Sequence, residues 1–142
     1  MGDLTKNFSR YEFECECGCG FAVADYDTVT ILQAMADHFE AALRSRIVVE
    51  ITGPNRCREH NETVQKEYDP EYVPYSSKSR HMTLGAVDFK LYYFNAGERV
   101  QIHPGQVYDY LNRKYPDRFG LGLYKNRVHF DPRRRKGRWD WT

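Results

Sequence analysis

The chain has 142 residues and a formal net charge of +1, from 21 Lys and Arg against 20 Asp and Glu, with 41% hydrophobic and 15% aromatic residues. That length suits one domain over residues 1–142, the apolar content excludes a disordered chain, and the balanced charge gives no global case for nucleic acid as the partner. No apolar run is long enough for a transmembrane helix, so membrane insertion is not expected. The opening Met1-Gly2-Asp3-Leu4-Thr5-Lys6 lacks the basic-then-apolar order of a signal peptide, so synthesis in the cytoplasm is expected.

Residues 1–22 read as an irregular arm with a Gly-rich turn carrying Cys15, Cys17 and Cys19. CxCxC is not the C-x2-C spacing of common zinc knuckles. A structural zinc with Cys57 as fourth ligand, a tethering disulfide after export, and reduced, partly buried thiols all remain open. Asp27 to Arg44 reads as a helix: Val29, Leu32, Ala36, Phe39 and Leu43 recur at three- and four-residue steps, Asp27 suits the N-cap, and His38 is structural or exposed. Ile47 to Thr52 is a β-branched strand that Gly53-Pro54-Asn55 turns. Residues 56–80 look like a long polar loop with one helical turn near Glu62, and a loop of that length is usually functional. Its tyrosines, Tyr68, Tyr72 and Tyr75, either pack the loop down or line a groove.

Gly85 to Tyr92 alternates, with Val87, Phe89 and Leu91 on one face and Ala86, Asp88 and Lys90 on the other. Pro104 to Tyr115 reads as a second helix with His103 at its start, its apolar face formed by Val107, Tyr110 and Leu111. Gly120 to Tyr124 and Arg127 to Asp131 form a hairpin around Lys125-Asn126. The basic run Arg133, Arg134, Arg135, Lys136 and Arg138 is either a solvated tail or a contact for a polyanion. The expected class is α+β, a small mostly antiparallel sheet with flanking helices.

His81, Asp88 and His129 stand out as candidate metal ligands. Asp88 and His129 each fall mid-strand, where a buried carboxylate or imidazole needs a partner. Two histidines and one carboxylate would leave the fourth position of a zinc ion open for water, the arrangement of catalytic sites.

The segment Ser79-Arg80-His81-Met82-Thr83-Leu84-Gly85-Ala86-Val87-Asp88 resembles the signature of the zinc D-alanyl-D-alanine peptidases, which include carboxypeptidases, dipeptidases and phage L-alanoyl-D-glutamate endolysins. His81, six residues and then Asp88 match the family's H-x6-D ligand pair, although Ala86 follows Gly85 directly where the family often leaves one residue between. Thr52 to Asn61 resembles the upstream segment whose arginine anchors substrate, here Arg56. Gly120 to Tyr124 and Val128 to Asp131 resemble the strand pair bearing the last ligand, His129, and the opening Leu4 to Gly20 looks like the start of phage-type members. The resemblance spans nearly the whole chain and implies a Hedgehog/DD-peptidase fold. It also implies one catalytic Zn2+ on His81, Asp88 and His129, oxyanion stabilisation by that zinc and Arg56, substrate binding by Arg56 and Ser79, and hydrolysis of peptidoglycan stem peptides after release to the wall or within a virion.

One departure concerns the proton shuttle. Many members place Glu or Asp three residues before the last histidine, and Asn126 stands there. Asp131 is the nearest substitute, since strand residues two apart share a face. It would be the general base or only orient a ligand, with Glu59 and Glu62 as further carboxylates and His60 as a cleft residue. If no group replaces the acid, the alternative is a non-catalytic, zinc-containing wall-binding module of the same fold.

Overall fold

The computed structural model describes residues 2–68, 71, 81 and 85–142. Among them are a 3-10 turn at Arg10–Phe13, helices α1 (Tyr26–Leu43), α2 (Arg58–Tyr68) and α3 (Pro104–Lys114), and six strands. The strands are β1 (Val48–Gly53), β2 (Val87–Asn95), β3 (Glu98–Gln101), β4 (Gly120–Leu123), β5 (Val128–Asp131) and β6 (Gly137–Asp140). They form one mixed sheet in the order β1-β2-β5-β4-β6, with β3 on β2. Every pairing is antiparallel except the parallel β4–β6 pair. The class is α+β, as the order of elements suggests.

The core follows from alternation. Val87, Phe89 and Leu91 of β2, Leu121 of β4, and Val128 and Phe130 of β5 are all buried. They pack with Leu32 and Met35 of α1 and with Val107 and Leu111 of α3. Burial of such side chains is the main term holding the sheet to its helices, about 1.5–3 kcal/mol for each one fully buried. The N-terminal arm joins this core. Phe8 and Phe13 are completely buried, and Asn7 pins the arm to α1 by exchanging hydrogen bonds with Gln33 (2.9 and 2.8 Å).

Four local differences have physical reasons. The helix expected from Asp27 begins one residue earlier, because Asp25 is the N-cap and its side chain accepts from the Thr28 N–H at 3.1 Å. The single turn expected near Glu62 is instead an 11-residue helix, α2. β2 runs on to Asn95 and folds back into β3, since Ala96 and Gly97 both take positive φ (52° and 80°), as a two-residue hairpin turn requires. The basic run is not a free tail, because its end is β6.

Arg138 explains that last difference. Its Nε donates to Asn112 Oδ1 at 2.8 Å, and Nη1 donates to the carbonyls of Phe119 (2.7 Å) and Gly137 (2.8 Å). Nη2 donates to the carbonyls of Tyr115 (2.6 Å) and Arg118 (3.0 Å). One guanidinium thus gathers carbonyls left over after α3 and docks β6 beside β4. Arg134, Arg135 and Lys136 remain exposed. Arg138→Ala is expected to cost on the order of 2 kcal/mol in denaturant unfolding. Arg138→Lys should recover little of it, because an ammonium cannot reach carbonyls on both sides.

Candidate metal centre

One cross-strand row builds the site. Gly53 of β1 faces Asp88 of β2, Asp88 faces His129 of β5, His129 faces Gly122 of β4, and Gly122 faces Trp139 of β6. Directly opposed residues share a sheet face, and this is the face turned away from Val87, Phe89, Val128 and Phe130. Asp131 lies two residues beyond His129 on the same face, opposite Gly120. His81 comes from outside the sheet and is buried.

The glycines in this row are spatial requirements. A Cβ on Gly53 would sit 2.7 Å from Asp88 Oδ2, one on Gly120 would run into the Asp131 carboxylate, and one on Gly122 would run into the Trp139 indole. The indole leans over Gly122 toward the His129 ring (centroids 5.0 Å apart), and its Nε1 donates to the Tyr124 hydroxyl at 3.1 Å.

The ligand atoms of His81, Asp88 and His129 all lie within 4.8 Å of one another. His81 Nδ1 is 3.0 Å from the Pro54 carbonyl. That carbonyl can only accept, so Nδ1 carries the hydrogen and Nε2 is left with a lone pair, 3.6 Å from Asp88 Oδ2. Burial lowers the His81 pKa to about 4, which keeps the ring neutral at neutral pH. His129 lies between two carboxylates, with Nδ1 2.9 Å from Asp88 Oδ1 and Nε2 2.9 Å from Asp131 Oδ2. Burial lowers its pKa, but the hydrogen bonds to Asp131 and Asp88 outweigh burial and raise it. Burial raises the Asp88 pKa, but the His129 hydrogen bond and electrostatic interactions with His81, His129 and Arg127 outweigh it and bring the carboxyl below its ordinary value.

Asp131 is fully buried on the far side of the ring from Asp88. Arg133 clamps it in a bidentate pair, Nε to Oδ1 and Nη2 to Oδ2, both at 2.7 Å. Asp131 thus completes a line from Arg133 through itself to His129 Nε2, leaving Nδ1 as the nitrogen aimed at Asp88 and His81. The donor set fits a divalent ion of the zinc type: two imidazole nitrogens and a carboxylate oxygen, with the second nitrogen of each imidazole held by a carbonyl or carboxylate.

Of the other residues expected at the site, Arg56 lies beside it. Its backbone N–H donates to the His81 carbonyl at 3.0 Å, and burial lowers the pKa of its guanidinium, an effect the Asp88 charge offsets only in part. Ser79, Tyr72 and Tyr75 lie outside the described residues. Glu59 and Glu62 are on α2. His60 donates its backbone N–H to Cys57 Sγ. His103 caps α3, its Nδ1 accepting from the Gly105 N–H at 3.0 Å. Asn126 serves the β4–β5 turn region, its carbonyl accepting from Gln101 Nε2 at 2.8 Å.

Sequence reading missed Arg127, whose Nε is 3.8 Å from Asp88 Oδ2 and whose guanidinium lies over the Tyr124 ring. It also missed Arg133 and Trp139. The available signal was the pairing of Gly-x-Gly on β4 with His-x-Asp on β5, because two glycines two apart open the face on which those large side chains sit. No protein-family model, curated protein or solved structure matches this chain.

Burial raises the Asp131 pKa, but the hydrogen bonds from His129 and Arg133 outweigh burial and hold it well below the usual carboxylate range. Its contribution to stability is therefore full above the unfolded value of about 3.9 and is lost as pH falls toward the folded value. Asp131→Asn should be less stable than wild type near neutral pH, on the order of 3 kcal/mol. Denaturant unfolding across pH should show that gap closing on acidification. A gap independent of pH would mean that the charge of Asp131 contributes nothing.

Proposed function

We propose that this chain is a zinc-dependent peptidase of the Hedgehog/DD-peptidase fold that hydrolyses amide bonds in peptidoglycan stem peptides. The observation that carries the reading is the convergence of the His81 and Asp88 pair with His129, 41 residues further on, their ligand atoms all within 4.8 Å of one another. The sequence resemblance supplies the substrate class. A zinc ion bound there would supply Lewis-acid polarisation of the scissile carbonyl and an acidified water.

The chain's own groups have distinct parts in this reading. His81 and His129 offer Nε2 and Nδ1 respectively, each oriented by the bond at its other nitrogen. Asp88 offers an ionised oxygen, since its neighbours keep its pKa low. Arg56 and Arg127 place positive charge beside Asp88, where a substrate carboxylate or a developing oxyanion would be held. Asp131 is an orienting group rather than the base. It is fully buried, and its oxygens are taken by His129 and by the Arg133 fork. The low pKa of that carboxylate also makes it a poor proton acceptor.

The second reading is a zinc-containing wall-binding module without turnover. It is favoured by Asn126 at the position where the family carries its acid, together with the occupied state of Asp131. Zinc analysis combined with a muropeptide digest separates the two. The peptidase predicts chelator-sensitive cleavage that His81→Ala and Asp88→Ala abolish along with the zinc of this site. The binding module predicts the same zinc loss with sedimentation onto cell walls and no new peptide products. In either case Asp131→Asn should weaken zinc binding at this site by about 10–100-fold, as losing a ligand-orienting carboxylate does. Wild-type affinity in that variant would remove Asp131 from the site altogether.

A further inference from the structure

We infer that Cys15, Cys17, Cys19 and Cys57 form a second, structural zinc site that ties the N-terminal arm to the start of α2. The four sulfurs lie within 4.8 Å of one another. The Cys15–Cys17, Cys17–Cys57 and Cys15–Cys57 separations are 3.4, 3.6 and 3.7 Å. Four thiolates placed about 2.3 Å from one zinc ion form a tetrahedron with edges of about 3.8 Å. The same separations are far beyond a disulfide bond of about 2.05 Å, and all four cysteines are free.

The surrounding backbone is arranged for charged sulfur. The N–H of Cys57 points to Cys15 Sγ at 3.3 Å, that of His60 to Cys57 Sγ at 3.4 Å, and that of Phe21 to Cys19 Sγ at 3.4 Å. Cys57 immediately precedes α2, and its carbonyl accepts from the Asn61 N–H at 2.9 Å, so its sulfur sits where the helix dipole favours an anion. The arm turns tightly enough to bring three alternate cysteines together because Gly18 and Gly20 take φ of +80° and +84°, a conformation open to glycine at little cost. A bridge between Glu14 and Ala22 and the Cys15 N–H to Phe21 carbonyl bond (2.7 Å) close the loop at its base.

Four soft ligands with no open position define a structural rather than a catalytic site. Its consequence is local. Asn55 hangs both bonds of its Nδ2 on the arm, to the carbonyls of Phe13 and Val23 at 2.7 Å each. The segment from Gly53 to Cys57 is thereby fixed at both ends, at one by β1 and at the other by the thiolates.

The test uses the full chain, purified reduced with zinc and without chelator. Cys17 and Cys19 are solvent-exposed, so burial cannot protect them from iodoacetamide and a metal can. Mass spectrometry of native-state alkylation is expected to show Cys17 and Cys19 slowed at least about tenfold relative to the chelator-treated protein. Cobalt-substituted wild type should show thiolate-to-metal charge-transfer absorption. His81→Ala should keep both signatures, which separates this site from the one on the sheet. Equal alkylation with and without zinc, absence of the cobalt–thiolate bands, or a disulfide among these cysteines in the reduced preparation would overturn the proposal.

Discussion

A buried imidazole with a carboxylate against each ring nitrogen is the constraint on which the sheet face is built. His129 cannot satisfy both Asp88 and Asp131 as a neutral ring, because the neutral form has one hydrogen for two acceptors. Either a proton makes it a cation, or a metal ion takes the lone pair at Nδ1 while Nε2–H stays with Asp131. Arg133 decides which end is permanent. It neutralises Asp131 through a bidentate pair at 2.7 Å, so the Asp131 end needs no further cation. At the Asp88 end Arg127 Nε stands farther off, 3.8 Å from Oδ2, and that end lies beside His81, where a divalent ion would find a carboxylate and two imidazoles together.

That charge arrangement accounts for sequence features that packing alone does not explain. A fully buried carboxylate on β5 requires glycine opposite it on β4, and Gly120 is there. The indole that packs beside the His129 ring requires another glycine, and Gly122 supplies the space. Each glycine in a strand weakens it, by roughly 0.5–1 kcal/mol relative to Ala. Leu121 and Leu123 on the core face, together with pairing on both edges of β4, compensate for that loss. Arg138 then secures β6, which carries the indole. The strand that follows the basic run Arg133 to Lys136 thus carries Trp139 up to the His129 ring.

Much of this was legible in the sequence, and the parts that were not share a cause. Alternation in β2 and the three-four spacing of α1 are properties of single segments, so they could be read directly. The ligand trio was suggested by mid-strand Asp88 and His129, where polar groups conflict with their apolar neighbours. β3 was missed although Ala96-Gly97 is a good hairpin turn, because Glu98 to Gln101 lacks an apolar face of its own. β6 is hidden in the sequence because Arg138 counts as surface charge until its partners Asn112, Tyr115, Arg118 and Phe119, far away in sequence, are seen. For Asp131, spacing places it beside His129, but the fork from Arg133 on its oxygens becomes visible only in the structure. The α+β class was readable, whereas nothing in the strand patterns themselves distinguishes one α+β fold from another.

The two ligand clusters are joined by a short piece of backbone. Gly53 lies under the Asp88 carboxylate, the Pro54 carbonyl fixes the His81 tautomer, Asn55 binds the arm, the Arg56 N–H holds the His81 carbonyl, and Cys57 belongs to the thiol cluster. Five consecutive residues thus each face a different requirement, and none of those requirements is apolar burial. Such a segment cannot be held by hydrophobic packing, which does not specify the direction of a carbonyl or a guanidinium. It needs rigid attachment at its ends. β1 provides one, through its ladder with β2. A tetrathiolate metal would provide the other more stiffly than a helix start alone. The crowding of cysteines in the arm would then have a reason tied to the sheet: bound as thiolates, they would hold the strip of backbone that borders His81, Asp88 and His129.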